Sequence, residues 1–199
     1  MGRRSPRHVF HPDKVVFPGG RVDVSDRLAP AIDELHPAVE AKLRVGGARG
    51  SIRSIALAAI RETFEEVGIV IGEKGMAPSG RRVPENWAAF LKMGLLPSLS
   101  QLRLVARAIT PPGRVRRYDA RFFAVFADAV AAEVTVAEDE LISPAWLTFD
   151  EARASALPAI TRRILDDLER RLADDPELDP GAPVPFHYVK YGKRYESQL

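Results

Sequence analysis

The sequence predicts an α/β fold, and three observations carry that prediction. Residues 51–67 form a helical pattern whose apolar stripe, Leu57, Ile60, Phe64 and Val67, suits packing against a sheet. Residues 102–109 and 118–126 are β-rich runs joined by Thr110-Pro111-Pro112-Gly113-Arg114-Val115-Arg116-Arg117, which reads as a strand, a turn-bearing loop and a second strand. Leu157, Ile160, Ile164, Leu168 and Leu172 recur at helical spacing and mark a second helix that covers the sheet. At 199 residues with 46% hydrophobic content, one globular domain spanning 1–199 is expected, with a sizeable core.

The remaining elements follow in order. Met1-Gly2-Arg3-Arg4 reads as the end of a strand already under way, as from an internal start that leaves an edge strand missing. Residues 14–17 are a short strand running into Phe17-Pro18-Gly19-Gly20, a tight turn with free backbone carbonyls. An excursion over 27–50 holds a helical pattern at 31–43, interrupted by Pro37, and closes on Gly46-Gly47-Ala48-Arg49-Gly50. Its Arg44 and Arg49, with Arg53, either form a phosphate lip or, on the plainer reading, are solvated surface charges. Ser51 suits the N-cap of the 51–67 helix and Gly68 a left-handed C-cap. A strand at 69–71 follows, then a helix at 84–93 opened by Pro84. Shorter strands are expected at 134–136 and 141–147. The segment 175–199, proline-rich and then aromatic and basic, either folds over the site or, on the preferred reading, serves as a subunit contact, as in a homodimer, or a loose tail.

Composition removes several classes of function. The chain has 29 basic and 27 acidic residues, a net charge of +2, so binding of nucleic acid through a bulk basic field is not expected. The absence of cysteine excludes disulfides, a thiol nucleophile and a zinc–thiolate site. Neither a membrane-length apolar run nor a signal peptide is found, so the cytoplasm is the expected compartment. The end Ser197-Gln198-Leu199 lacks the basic middle residue of a peroxisomal address.

The chemistry gathers on Arg61-Glu62-Thr63-Phe64-Glu65-Glu66-Val67-Gly68-Ile69. At about 100° per residue, with Glu62 at zero, Glu66 falls near ~40° and Glu65 near ~300°, so three carboxylates share one helical face. Like charges so placed repel each other, and a hard divalent cation, magnesium or manganese, relieves the repulsion. The competing reading is an ordinary solvated face. The upstream Gly19-Gly20 turn favours the metal.

Together the turn and the helix resemble the signature of the Nudix hydrolases, in which a glycine turn and a first acid precede R-E-U-x-E-E-x-G-U, U being aliphatic. Thr63 stands at an aliphatic position, and Asp26, six positions after Gly20, is an acid one methylene short. The signature's short spacer becomes 34 residues here (27–60). That long insertion, together with Phe17-Pro18-Gly19-Gly20-Arg21-Val22-Asp23, Ala108-Ile109-Thr110-Pro111-Pro112-Gly113 and Arg117-Tyr118-Asp119-Ala120-Arg121-Phe122-Phe123, is similar to the branch that includes peroxisomal coenzyme A and acyl-CoA diphosphatases and bacterial relatives. The short coenzyme A signature of some relatives does not align, since Asp13 and Val9 stand where glycine and arginine are expected.

The resemblance implies an α/β/α sandwich with a mixed sheet and metal-dependent hydrolysis of a nucleoside diphosphate linked to another group. By matching position, Glu65 and Glu66 are metal ligands, and Glu62 is a third ligand or orients the water. The Gly19 carbonyl is a further ligand, and Arg61 positions its neighbours. A further acid is sought in Glu138-Asp139-Glu140, with Glu140 preferred and Asp119 an alternative. Arg114, Arg116, Arg117 and Arg121 are candidates for substrate phosphate, although Arg121 and Asp119 share a strand face and also suit a simple ion pair. Tyr118, Phe122 and Trp87 are candidates to stack a base, Phe122 being better suited to the core. His8, His11, His36 and His187 lack ligand spacing. The alternative to an enzyme is a non-catalytic Nudix domain acting as a nucleotide sensor or interaction module.

Overall fold

Gly68 ends the long signature helix in the left-handed conformation, at φ 71°, and a Cβ there would lie 1.8 Å from the Val134 carbonyl oxygen. The computed structural model describes residues 1–6, 11–47, 51–78, 80, 83–114, 116–137 and 140–199; His8, Val9, Arg49, Glu138 and Asp139 lie outside the described residues. In chain order the strands and α-helices are β1 (Gly2–Arg4), β2 (Val15–Val16), α1 (Pro37–Arg44), α2 (Ile52–Val67), β3 (Ile69–Lys74), α3 (Ala88–Leu91), β4 (Leu95–Pro97), β5 (Arg103–Ile109), β6 (Asp119–Ala124), β7 (Val130–Glu133), β8 (Leu141–Ile142), α4 (Phe149–Ala154), α5 (Ala159–Asp174), β9 (Pro185–Lys190) and β10 (Lys193–Gln198). They fall into two units interleaved along the chain.

One unit comprises Pro18–Leu102 and Val125–Leu141. Its sheet has the order β4-β3-β7, antiparallel throughout, with a register shift at Val70/Ile71. The buried stripe of α2 includes Leu57, Ile60 and Phe64. Phe64 meets Phe90 edge-on at 5.4 Å, and Phe90 meets Trp87 at 5.5 Å. The strand expected at 134–136 instead occupies Val130–Glu133, where it pairs with β3, and the Val134 amide donates to the Gly68 carbonyl at 2.9 Å just beyond it. The expected helix at 31–43 starts later. Pro37 opens it rather than interrupting it, and the His36 ring nitrogen accepts the Ala38 amide as cap. The residues ahead are pinned by Asp33, which accepts the Leu99 and Ser100 amides at 2.6 and 3.0 Å and the hydroxyls of Ser98 and Ser100. Burial pushes the Asp33 carboxyl up, but these bonds outweigh it and hold the group below its usual range.

The other unit comprises Met1–Phe17, Arg103–Ala124 and Ile142–Leu199. The opening residues do form a strand, β1, paired antiparallel with β2; on its other side Met1 exchanges two 2.8 Å bonds with Ala145. A four-stranded sheet has the order β10-β9-β5-β6, with β9 parallel to β5 and the other pairs antiparallel. The end of the chain is therefore not a loose tail but a β-hairpin within this sheet. Tyr191 (φ 50°) and Gly192 (φ 73°) join its strands, a two-residue loop of the kind whose twist matches a hairpin. Helix α5 backs one face, with Ile164 and Leu165 buried and Asp167 bonded to His187 at 2.9 Å. The strand expected at 141–147 is confined to Leu141–Ile142, and α4 follows on a capping box of Thr148 with Glu151. Among the described residues no helix is long and apolar enough to cross a membrane.

Candidate active site

Arg61 is the hub of the site. Only 7% of its side chain is exposed, and it is shared among three carboxylates and a carbonyl. Its Nε lies 2.8 Å from Asp26 Oδ1, its Nη2 donates to Asp26 Oδ2 and to the Arg21 carbonyl, and its Nη1 reaches Glu65 at 2.6 Å and Glu62 at 2.8 Å. Burial alone lowers the guanidinium pKa, but the Asp26 hydrogen bond and the three negative charges raise it beyond its ordinary value.

Asp26 is fully enclosed and also accepts the Trp87 indole N–H at 3.0 Å and the Asp23 amide at 2.7 Å. The missing methylene is made up by local structure. Asp23 and Asp26 form a capping box on the short 3-10 turn Val24–Leu28, which carries the Asp26 carboxylate to Arg61 across the insertion. Trp87, a candidate for base stacking, is instead completely buried as a brace on Asp26.

The glycine turn lies against the acidic helix. The Gly19 amide donates to Glu66 Oε2 at 2.7 Å, and Glu66 is largely buried. Gly19 has φ 152°, a region few side-chain-bearing residues occupy. A Cβ on Gly20 would come within 2.2 Å of Glu62 Oε2. Because the obstructed atoms are the far end of a flexible side chain, Gly20→Ala is expected to leave the melting temperature nearly unchanged. Its turnover should fall by about tenfold or more as the Glu62 carboxylate is displaced. Equal turnover in the two proteins would show that the position of Glu62 does not matter.

Burial raises the Glu62 carboxyl; Arg61 opposes this, while Glu65 and Glu140 add to it, and the net direction is upward. The Glu62 carboxylate is thus held where water solvates it poorly. Arg61 faces three acids, and the charge of Glu140 also bears on Glu62. Among the described residues no group of three or more acidic or histidine side chains is already drawn close enough to enclose an ion. The donor set, all carboxylate and carbonyl oxygen, is nevertheless the kind hard divalent cations take.

The other candidates are placed less centrally. Glu140 is exposed and near enough to Glu62 for its charge to be felt. Arg114, Arg116 and Arg117 are exposed, and Arg117 donates to the Thr110 carbonyl at 3.1 Å. Arg121 and Asp119 do form the ion pair, at 3.0 Å, and Asp119 also binds Arg107 through both carboxylate oxygens. Arg44 pairs with Glu40, and Arg53 with Glu34 and the Ala29 carbonyl, so both lip candidates are engaged on their own surface. Phe122 packs edge-on against Phe17 at 6.2 Å. Arg107 was missed; a lone arginine inside an apolar strand run was the available signal.

By its fold and its arginine-centred carboxylate helix, this chain resembles the Nudix hydrolases. It is 25% identical to a solved NUDIX hydrolase from Alicyclobacillus acidocaldarius, with a TM-score of 0.57, covering 83% of this chain and 80% of that one. It is 28% identical over 202 residues to the acyl-coenzyme A diphosphatase NUDT19 of Gallus gallus, covering 75% of this chain. The chain spans about half, 53%, of that relative's length. No family model matches the chain.

Proposed function

We propose that this protein hydrolyses the pyrophosphate bond of a nucleoside diphosphate joined to another moiety, with coenzyme A or acyl-CoA as the leading substrate class. The observation that carries the reaction is the Gly19-Gly20 turn seated on a helix that gathers Glu62, Glu65 and Glu66 beside Arg61. The substrate class rests on the likeness to the diphosphatase NUDT19. We further propose that both units act as one catalytic domain, in the cytoplasm.

Glu62, Glu65, Glu66 and the Gly19 carbonyl would hold magnesium or manganese. When bound, such ions neutralise pyrophosphate charge and lower the pKa of water. Arg61 fixes the rotamers of Glu62 and Glu65, and the Gly19 amide fixes Glu66. Glu62, with its raised pKa, is suited to orient a water or take its proton. The water oxygen forms a bond to one phosphorus, the bond from that phosphorus to the bridging oxygen breaks, and the bridging oxygen leaves with the second phosphate. Two phosphate monoesters result.

A panel of coenzyme A, acyl-CoA, ADP-ribose and dinucleotides, assayed with each metal, tests the reading. Release of 3′,5′-ADP and a phosphopantetheine product from coenzyme A is the expected result. Turnover of another member alone would move the substrate class. No turnover of any member with metal bound would transfer support to the nucleotide-sensor reading.

A further inference from the structure

The unit that contains β5, β6, β9 and β10 carries a second concentration of charge that the acidic helix does not use. Arg107 and Arg121 lie directly across from one another on β5 and β6, and both share the single carboxylate of Asp119. Their side chains are 4% and 10% exposed. Asp119 thus lies against two guanidinium groups in a poorly solvated place. The Arg121 Nε–H is buried with no hydrogen-bond partner, and such an orphaned donor costs on the order of 1–3 kcal/mol. Burial, and then the nearby charge of Arg107, work against the Arg121 cation strongly enough to lower its pKa despite Asp119. Asp119 itself, 36% exposed, marks the side open to solvent.

The same sheet face continues into a row of rings. Arg107 is opposite Phe186 on β9 and lies 4.6 Å over its ring. Phe186 is 4.9 Å from Tyr188, and Tyr188 is stacked with Tyr195 of β10 at 5.5 Å and 12°. Residues two apart on a strand share a face, so Asp119, Arg121, Arg107, Phe186, Tyr188 and Tyr195 are on one side. His187 and Glu196 point to the other, where Asp167 and Arg163 of α5 hold them.

We infer that this face binds a nucleotide: Arg107 and Arg121 take a phosphate group, and the Tyr188–Tyr195 pair receives the aromatic base. Charge complementarity selects the phosphate, since paired guanidinium forks match its oxygens and the Arg121 Nε–H awaits an acceptor. Stacked tyrosines offer a flat surface to any base without selecting its sequence of polar groups. Binding here needs no divalent metal. The inference rests on the proposed hydrolase only in taking the nucleotide to be part of the substrate or product rather than a separate effector.

Calorimetric titration of the full chain in EDTA with 5′-AMP, inorganic phosphate and adenosine tests it. AMP should bind, phosphate more weakly, and adenosine weakest. Arg121→Gln should weaken AMP and phosphate by about tenfold or more, and Arg121→Lys should restore part of the loss. Tyr188→Leu should weaken AMP and leave phosphate unchanged. Asp119→Asn, which frees both arginines, should tighten phosphate, whereas an arginine cluster of purely architectural role would only lose melting temperature. If Arg121→Gln does not fold, the Tyr188→Leu and Asp119→Asn arms decide. Unchanged AMP affinity in folded Arg121→Gln, or no binding of AMP or phosphate by the native protein at millimolar concentration, would overturn the inference. Competition between AMP and substrate for turnover assigns the nucleotide to the substrate; inhibition that substrate does not relieve assigns it to an effector. Lack of turnover with AMP binding intact counts only against the reaction, and turnover without AMP binding counts only against this surface.

Discussion

Glu66→Gln is expected to keep the melting temperature of the native protein while lowering kcat by about a hundredfold or more with either metal, because a metal-bound nucleophile is worth several kcal/mol. The structure makes this substitution a clean one. Glu66 is mostly buried, and its Oε2 accepts the Gly19 amide at 2.7 Å. Glutamine has the same shape and retains a carbonyl oxygen for that bond, so the glycine turn should stay seated on α2. What it loses is a negative charge at the place where oxygen ligands for a hard cation are wanted. Titration of manganese into the variant should show weaker binding, which separates a ligand from a group that only shapes the turn. A variant that kept more than about a tenth of the native rate would remove Glu66 from the reaction, since so small a loss is little more than one kcal/mol.

The parts of this site legible in sequence are those encoded locally. Helix periodicity placed Glu62, Glu65 and Glu66 near one another, and Gly68 marked the helix end that its left-handed φ of 71° confirms. What escaped depends on partners far away in sequence. Nothing near Asp26 announces that its carboxylate will meet Arg61 and the Trp87 indole, 35 and 61 residues away. Trp87, a candidate to stack a base, is claimed instead by that carboxylate, which satisfies its polar N–H in the interior. The hairpin of β9 and β10 was hidden for a similar reason. Its proline-rich approach and basic tip resemble a tail, and β9 is secured by a parallel pairing with β5, where Arg107 meets Phe186. Of the arginines of that face, Arg121 is legible in the sequence as a phosphate candidate, whereas Arg107 joins it only through the register of β5 and β6.

Arg61→Ala should produce the largest loss of stability, on the order of 3–5 kcal/mol, because it removes the cation paired with a buried carboxylate. Asp26 has no exposed surface, and without Arg61 it retains just the Trp87 indole and the Asp23 amide as the contacts described above. Against the roughly 5–15 kcal/mol that holds a domain folded, such a loss is severe. Denaturant unfolding of the native and variant proteins measures it directly. Arg61→Lys should recover part of the stability, since an ammonium restores the charge but cannot reach Asp26, Glu65 and the Arg21 carbonyl together. A double variant, Arg61→Met with Asp26→Leu, separates charge pairing from packing. It should be more stable than Arg61→Ala, for it leaves no buried charge unpaired, yet as inactive, because Glu62 and Glu65 lose their anchor. Asp26→Glu sharpens the point. It restores the acid of the family signature, but its extra methylene must enter a fully enclosed space in which the shorter carboxylate already stands 2.8 Å from Arg61. A cost of about 1–3 kcal/mol is expected from that overpacking. If Asp26→Glu were instead as stable as the native protein, the 3-10 turn at Val24–Leu28 would have to yield to the longer side chain, and the aspartate would not be fitted to the turn that presents it.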